Sequence, residues 1–147
     1  MTKKVLVLSA SFRKHGNSDM LCDRFIQGAR EAGNEVEKIY VSDMRIGYCR
    51  GCGVCNRTHK CVQNDDMAAV LDKMVAADVI VMATPVYFYS MNGQLKTLID
   101  RTIPRYEEIR GKDFYYIVAA ADDNRDNMRR TIEGFRAFAD DCLEGSR

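Results

Sequence analysis

Apolar residues fall along this chain in two kinds of run. The first kind is short and unbroken, as in Val5-Leu6-Val7-Leu8 and Val79-Ile80-Val81-Met82. Continuous aliphatic runs of this length mark strands covered on both faces. They predict a first strand over Lys4–Ser9 and a third over Asp78–Ala83, ended by Thr84-Pro85 because proline cannot continue a ladder. Val36–Val41 carries Glu37 and Lys38 and predicts a second strand at an exposed edge, while Phe114–Ala121 predicts a fourth. The second kind of run has helical spacing. Leu21, Phe25, Ala29 and Ala32, with Cys22 and Ile26 beside them, predict a helix over Ser18–Ala32 that Gly33-Asn34 stops. Cys22 reads as core filler. Met67, Val70, Leu71, Met74 and Val75 predict a second helix, capped by Asn64-Asp65-Asp66. Leu95, Leu98 and Ile99 predict a third, from near Ser90 to Ile103-Pro104. Met128, Ile132, Phe135, Ala139 and Cys142 predict a fourth, over Asp126–Leu143.

Strands alternating with helices predict an α/β fold, a doubly wound parallel sheet with helices on both faces. Three apolar strands and one polar edge strand, second in sequence, fit the flavodoxin-like strand order 2-1-3-4. In that order ligands sit outside the carboxyl ends of the first and third strands. Two conspicuous loops, Ser9–Ser18 and Thr84–Ser90, leave the predicted strands at that place.

Composition removes several classes of function. The chain has 147 residues, 46% hydrophobic and 29% charged, which suits one globular domain over 1–147. Its 22 Lys and Arg balance 21 Asp and Glu, so charge draws it toward neither nucleic acid nor membrane. No apolar run approaches the ~20 residues of a membrane span, and the N-terminal apolar run is too short for a signal peptide. The expected location is therefore the cytoplasm. Four of the six cysteines crowd between Cys49 and Cys61, which points to metal or redox chemistry rather than disulfides.

Ser9-Ala10-Ser11-Phe12-Arg13-Lys14-His15-Gly16-Asn17-Ser18 joins a strand to a helix with hydroxyls, an amide and cationic side chains. Unpaired N–H groups and the helix dipole make such a loop an anion seat, and a phosphate suits it. The loop has neither Cys-x5-Arg, G-x-x-x-x-G-K-[ST] nor G-x-G-x-x-G. The plainer reading is an ordinary strand–helix loop capped by Asn17 or Ser18. Tyr87-Phe88-Tyr89 offers aromatic surface in the second loop, for a ligand face, a lid or a contact between subunits.

These motifs together resemble a known family. Ser11-Phe12-Arg13-Lys14-His15-Gly16-Asn17-Ser18, Cys49-Arg50-Gly51-Cys52-Gly53-Val54-Cys55, Cys61 with Asp65-Asp66-Met67, Thr84-Pro85-Val86-Tyr87, Leu95-Lys96 and Ile99-Asp100-Arg101 follow one another as in the flavodoxin-like NADPH-dependent FMN reductases. Within that family the chain is most similar to the iron–sulfur flavoproteins. The resemblance implies FMN, its phosphate held by residues matching Ser11, Arg13, Asn17 and Ser18, with Ser9 at the strand end counted in the same seat. It implies that the isoalloxazine ring lies against Pro85, Val86, Tyr87, Phe88, Ser90 and Met91. Family members usually continue into a fifth strand and helix, which are expected to be missing here, leaving the fourth strand a bare edge before Glu144-Gly145-Ser146-Arg147.

Cys49-x2-Cys52-x2-Cys55-x5-Cys61 crowds four thiols as a cubane cluster requires, and its spacing is like the compact motif of the iron–sulfur flavoproteins. Free thiols, redox-active or inert, and a zinc site are the competing readings. His15 and His59 read as solvated residues rather than ligands. The expected function is an FMN-dependent oxidoreductase that takes a hydride from NAD(P)H, or electrons from a protein donor, and passes electrons to a small-molecule or protein acceptor. A [4Fe–4S] cluster at Cys49, Cys52, Cys55 and Cys61 would relay them. No catalytic residue is expected, because the flavin carries the chemistry. The competing class is a non-enzymatic flavin electron carrier or thiol-based redox sensor. The aromatic loop and bare edge lead to the expectation of a homodimer.

Overall fold

The computed structural model describes residues 1–145; Ser146 and Arg147 lie outside the described residues. In chain order the principal elements are β1 (Lys4–Ser9), α1 (Asn17–Glu31), β2 (Glu35–Tyr40), α2 (Cys55–Thr58) and α3 (Met67–Ala76). β3 (Val79–Tyr87), β4 (Ser90–Met91), α4 (Gly93–Asp100), β5 (Asp113–Ala119) and α5 (Arg129–Arg136) follow. β1 pairs in parallel with β2 and β3, from Val5 opposite Val36 and Val79, and β3 pairs in parallel with β5. The parallel strands thus stand in the expected order, with the predicted fourth strand as β5. The sheet is the flavodoxin-like, doubly wound arrangement.

Strand alternation sorts the core into two layers. Val5, Val7, Val79, Val81 and Ala83 face α1, where Cys22 and Ile26 cover them. Leu6, Leu8, Ile80 and Met82 face the other way, against Met67, Val70, Leu71 and Met74 of α3, Leu95 and Leu98 of α4, and Phe135 of α5. Phe135 stacks on Tyr116 of β5, the centroids 4.7 Å apart. Cys22 is indeed core filler, and burial pushes its thiol up to about 11.

Several local expectations need correction. β3 does not stop at Thr84-Pro85 but runs on to Tyr87, with Pro85 opposite Ala119. The last bond of the β1 side is Ala10 N–H to the Ala83 carbonyl. Residues two apart point the same way, so the missing N–H of Pro85 faces the side where β1 has already ended, and no ladder bond is lost. A fifth strand is present, but it is the two-residue β4, antiparallel to the end of β3. It takes Ser90 and Met91 out of the expected helix, so α4 begins at Gly93. The buried face of α1 carries Ser18, Asp19, Cys22 and Ile26, and Leu21 is 49% exposed. At the other end the buried row is Thr131, Phe135, Ala139 and Leu143, and Cys142 is exposed. There α5 widens into a π-helical stretch over Ala137–Cys142, whose larger turn keeps every fourth residue on one face. No helix among the described residues is long and apolar enough to cross a membrane.

Candidate functional site

The loop after β1 closes on itself before α1 begins. Ser11 Oγ accepts from Arg13 N–H at 3.1 Å, and Gly16 N–H donates to the Arg13 carbonyl at 3.0 Å. Neither Asn17 nor Ser18 caps α1. The N-cap is Gly16, which has no side chain to offer, so the first turn keeps its N–H groups for another acceptor. Arg13 and Asn17 are exposed at the mouth, whereas Ser11 and Ser18 are buried beneath them. Ser9 is fully buried, and its hydroxyl donates to Asp19 Oδ1 at 2.9 Å.

Asp19 is what braces this loop from below. It is fully buried, accepts from His15 N–H at 2.8 Å, and pairs with Lys38 at 2.6 Å. Burial opposes its charge, but Lys38, His15 N–H and Ser9 outweigh that cost and hold the carboxyl below its ordinary value. Lys38 also meets Asp23 at 2.6 Å and lies over the Tyr40 ring. His15, Asp19 and Asp23 form the one trio of metal-type ligands within 4.8 Å among the described residues. The Lys38 ammonium already pairs with both carboxylates, so the trio is part of an ion-pair cluster.

The second loop is a hairpin. Val86 pairs with Met91 and Tyr87 with Ser90, leaving Phe88 and Tyr89 as a two-residue turn with φ of 47° and 64°. This turn geometry normally selects Asn-Gly, and two aromatic residues hold it at a cost of about 1–2 kcal/mol each. Phe88 is 101% exposed, with Tyr87 and Tyr89 half exposed beside it. Pro85, Val86 and Met91 are half-buried at the base, and Ser90 is exposed.

Asn92 ties the two loops together. It is buried; its Nδ2 donates to the Ala10 carbonyl at 2.7 Å, and its Oδ1 accepts from Leu95 N–H, capping α4. Its own N–H donates to Thr84 Oγ1 at 3.0 Å. One amide therefore fixes the carboxyl ends of β1 and β3 and the start of α4 against each other. Every residue predicted for the phosphate and ring seats lies on these two loops or at their strand ends.

The other end of α4 reaches the cysteines. Cys49, Cys52, Cys55 and Cys61 are all free thiols and all line one cavity of about 320 Å³. Gly51 and Gly53 adopt left-handed φ of 63° and 70°, so the chain reverses between successive cysteines and turns them toward one space. Single-ion zinc would need its thiolates about 4 Å apart, given tetrahedral bonds of about 2.3 Å. No three of these sulfurs lie within 4.8 Å of one another among the described residues. A cubane, with an iron at each of four corners, holds its thiolates farther apart.

A buried ion pair sets this loop in place. Arg101, at the C-cap of α4, is 2% exposed. Its Nη1 and Nη2 grip Asp65 at 2.8 and 3.0 Å, and Nη1 also donates to the Gly47 carbonyl at 2.7 Å. Asp65 accepts in addition from Gly47 N–H and from the N–H of Met67, the first residue of α3, whereas Asp66, at the N-cap, accepts from Arg45 N–H. Arg101 and Cys61 also border a second cavity, of about 540 Å³, that runs toward Arg105 and Glu108. Sequence reasoning missed Asp19, Asn92 and the Asp65–Arg101 pair as site-builders. The available signals were an acid in the first turn of a helix and an Asn-Gly before an apolar stripe.

Burial disfavours the Asp65 carboxylate, but Arg101 and the two N–H donors override it and bring the carboxyl from 3.8 down to about 2. A carboxyl held low in the folded state stabilises above its unfolded value and loses that contribution as pH falls. The folded chain should accordingly lose about 2 kcal/mol between pH 4 and pH 2 from this group alone. Asp65→Asn should cost about 3–5 kcal/mol at pH 7, because Arg101 is left buried without its anion. Urea unfolding of the two chains across that pH range checks both, and an Asn variant as stable as the parent would refute the pairing argument.

Residues 3–131 match the family model described as NADPH-dependent FMN reductase. The chain is similar to the iron-sulfur flavoprotein of Archaeoglobus fulgidus, 38% identical over 101 residues, covering 69% of this chain and 46% of the relative. It is similar to the iron-sulfur flavoprotein of Methanosarcina thermophila, 36% identical over 100 residues, covering 68% and 52% respectively. Among solved structures it is similar to a flavone reductase, with a TM-score of 0.68 and 25% identity, covering 87% of this chain and 46% of that one. The chain thus spans about half the length of the curated relatives it matches. With the family model spanning nearly all of the sheet, both loops and the cysteine segment, this chain belongs to the NADPH-dependent FMN reductase family.

Proposed function

We propose that the chain is an FMN-dependent oxidoreductase, with NAD(P)H as electron donor and a small molecule or protein as acceptor. The observation that carries this is the joint seat built by the loops after β1 and β3, which Asn92 locks together. Residues 1–147 act as one FMN-binding domain with the cysteine-rich loop at 48–61, in the reducing cytoplasm where the free thiols persist. Bound FMN would supply hydride and electron chemistry. Arg13 supplies a charged fork for the phosphate, and Asn17 and Ser18 present the open first turn of α1. Ser11 shapes the loop, and Ser9 supports it through Asp19. Pro85, Val86, Tyr87, Phe88 and Met91 form the apolar wall that orients the ring, with Ser90 beside them as a polar contact.

The donor set of the cysteine cavity fits a [4Fe–4S] cluster on two observations: four thiols share one cavity, and the buried Arg101 Nε beside them has no hydrogen-bond partner. Cys49, Cys52, Cys55 and Cys61 would hold it, and it would supply one-electron relay. α4 spans about 12 Å between Asn92 and this cavity, so one rigid helix fixes the spacing of the two sites. We read the chain as a homodimer, because Tyr87, Phe88 and Tyr89 project from the ring wall and Tyr115 of β5 is half exposed.

Arg13→Ala should weaken FMN by about 1.5–3 kcal/mol while leaving riboflavin, which lacks the phosphate, unaffected. Fluorescence titration with both flavins checks this, and equal affinity of the parent chain for the two would sink the phosphate assignment.

Stopped-flow mixing of the FMN-loaded protein with NADPH should bleach the flavin rapidly; a flavin that stays oxidised means a carrier or thiol sensor instead. Iron and acid-labile sulfide on anaerobically prepared protein should be about four of each per chain. Light scattering at micromolar concentration should give twice the chain mass of 16.7 kDa, and the single-chain mass would exclude the dimer.

A further inference from the structure

We propose that Arg101 is a cofactor-binding residue as well as a structural one: its Nε–H donates to the sulfur set of the cluster and raises the cluster's reduction potential. The inference rests on the cluster reading above. Four of the guanidinium's five N–H groups lie on its two terminal nitrogens, and both nitrogens are engaged, making three bonds to Asp65 and the Gly47 carbonyl. The fifth, on Nε, is buried and without a partner. A buried donor left unmade is costly, so a native fold places an acceptor there. Arg101 lines the same cavity as Cys49, Cys52, Cys55 and Cys61.

The other polar side chains of that cavity do not serve Nε. None of them is hydrogen-bonded to Nε, and the one carboxylate, Asp100, is paired with Lys96 at 2.5 Å. Thiolate and sulfide are hydrogen-bond acceptors, and hydrogen bonds to the sulfurs are among the levers that set cluster potentials. A fixed guanidinium, held by Asp65 so that it cannot swing away, favours whichever state of the sulfur set carries more negative charge. That is the reduced state. The pair Asp65–Arg101 is net neutral, so the directional N–H, rather than bulk charge, is the larger part of the effect.

The test uses anaerobically prepared protein grown with 15N-arginine and reduced for pulsed electron paramagnetic resonance. A weak 15N coupling to the cluster is expected; it persists in Arg50→Ala, which removes the other arginine lining the cavity, and disappears in Arg101→Lys. A lysine in place of Arg101 keeps a cation for Asp65 but has no Nε–H. Its midpoint potential, read by redox titration of the same signal, should fall by about 59 mV, a tenfold loss in the one-electron reduction constant. Full iron and sulfide with no 15N coupling in the parent chain overturns the inference and leaves the cluster reading standing. So does a coupling lost in Arg50→Ala, or a potential unchanged in Arg101→Lys. A parent chain without iron or sulfide overturns both. Should Arg101→Lys fail to fold, the parent and Arg50→Ala spectra decide alone.

Discussion

An arginine side chain taken almost wholly out of water must find an anion, and in this protein that need organises the half of the molecule that carries the cysteines. Arg101 closes α4, and Asp65 opens α3. Their two-point contact therefore fastens the end of one core helix to the start of another. Gly47 is fixed from both its N–H and its carbonyl by the same pair. The cysteine loop leaves the body at Gly47 and returns at Asp65, so its two ends are pinned at one place. A loop with no regular structure beyond a four-residue helix keeps its thiols around one cavity for this reason. Pairing at this depth does not need to add net stability to be required, since loss of either partner leaves a bare charge inside.

The same design recurs under the other loop. Asp19 is fully buried and is satisfied by Ser9, His15 N–H and Lys38, each from a different element. Lys38 thus has a role beyond keeping an edge strand soluble. Its ammonium crosses from β2 to the underside of the loop after β1, next to the strand end that bears the proposed phosphate seat. Asn92 is the uncharged counterpart, spending its amide on two elements and its N–H on a third. In each case a polar group that cannot be left unpartnered in the interior does the positioning, while the exposed side chains above stay free for a ligand.

These anchors also explain where strain is tolerated. The aromatic turn at Phe88 and Tyr89 holds two bulky residues in the left-handed region, which a loose loop would relax. It persists because the hairpin is closed by two cross-strand pairs and followed at once by buried Asn92. The outcome is an apolar tip presented to solvent at the rim of the proposed flavin site, a place suited to a ring or a second subunit and unsuited to water.

The sheet was legible in the residues because its signals are local. Unbroken aliphatic runs gave β1 and β3, Glu37 and Lys38 marked β2 as an edge, and Gly33-Asn34 marked the end of α1. Strand order followed from which runs were apolar, and the two candidate ligand loops followed from strand order. The crowding of Cys49, Cys52, Cys55 and Cys61 was likewise visible as spacing. Spacing could not say which turn Phe88 and Tyr89 would adopt, since local preference opposes it. Nor could it say that β3 would run through Pro85, which depends on where β1 ends beside it. It could not pair Asp65 with Arg101, Asp19 with Lys38, or Asn92 with Ala10, because the partners lie 36, 19 and 82 residues apart in the chain. Those pairs are decided by burial, which brings distant polar groups into a medium where each must find the other.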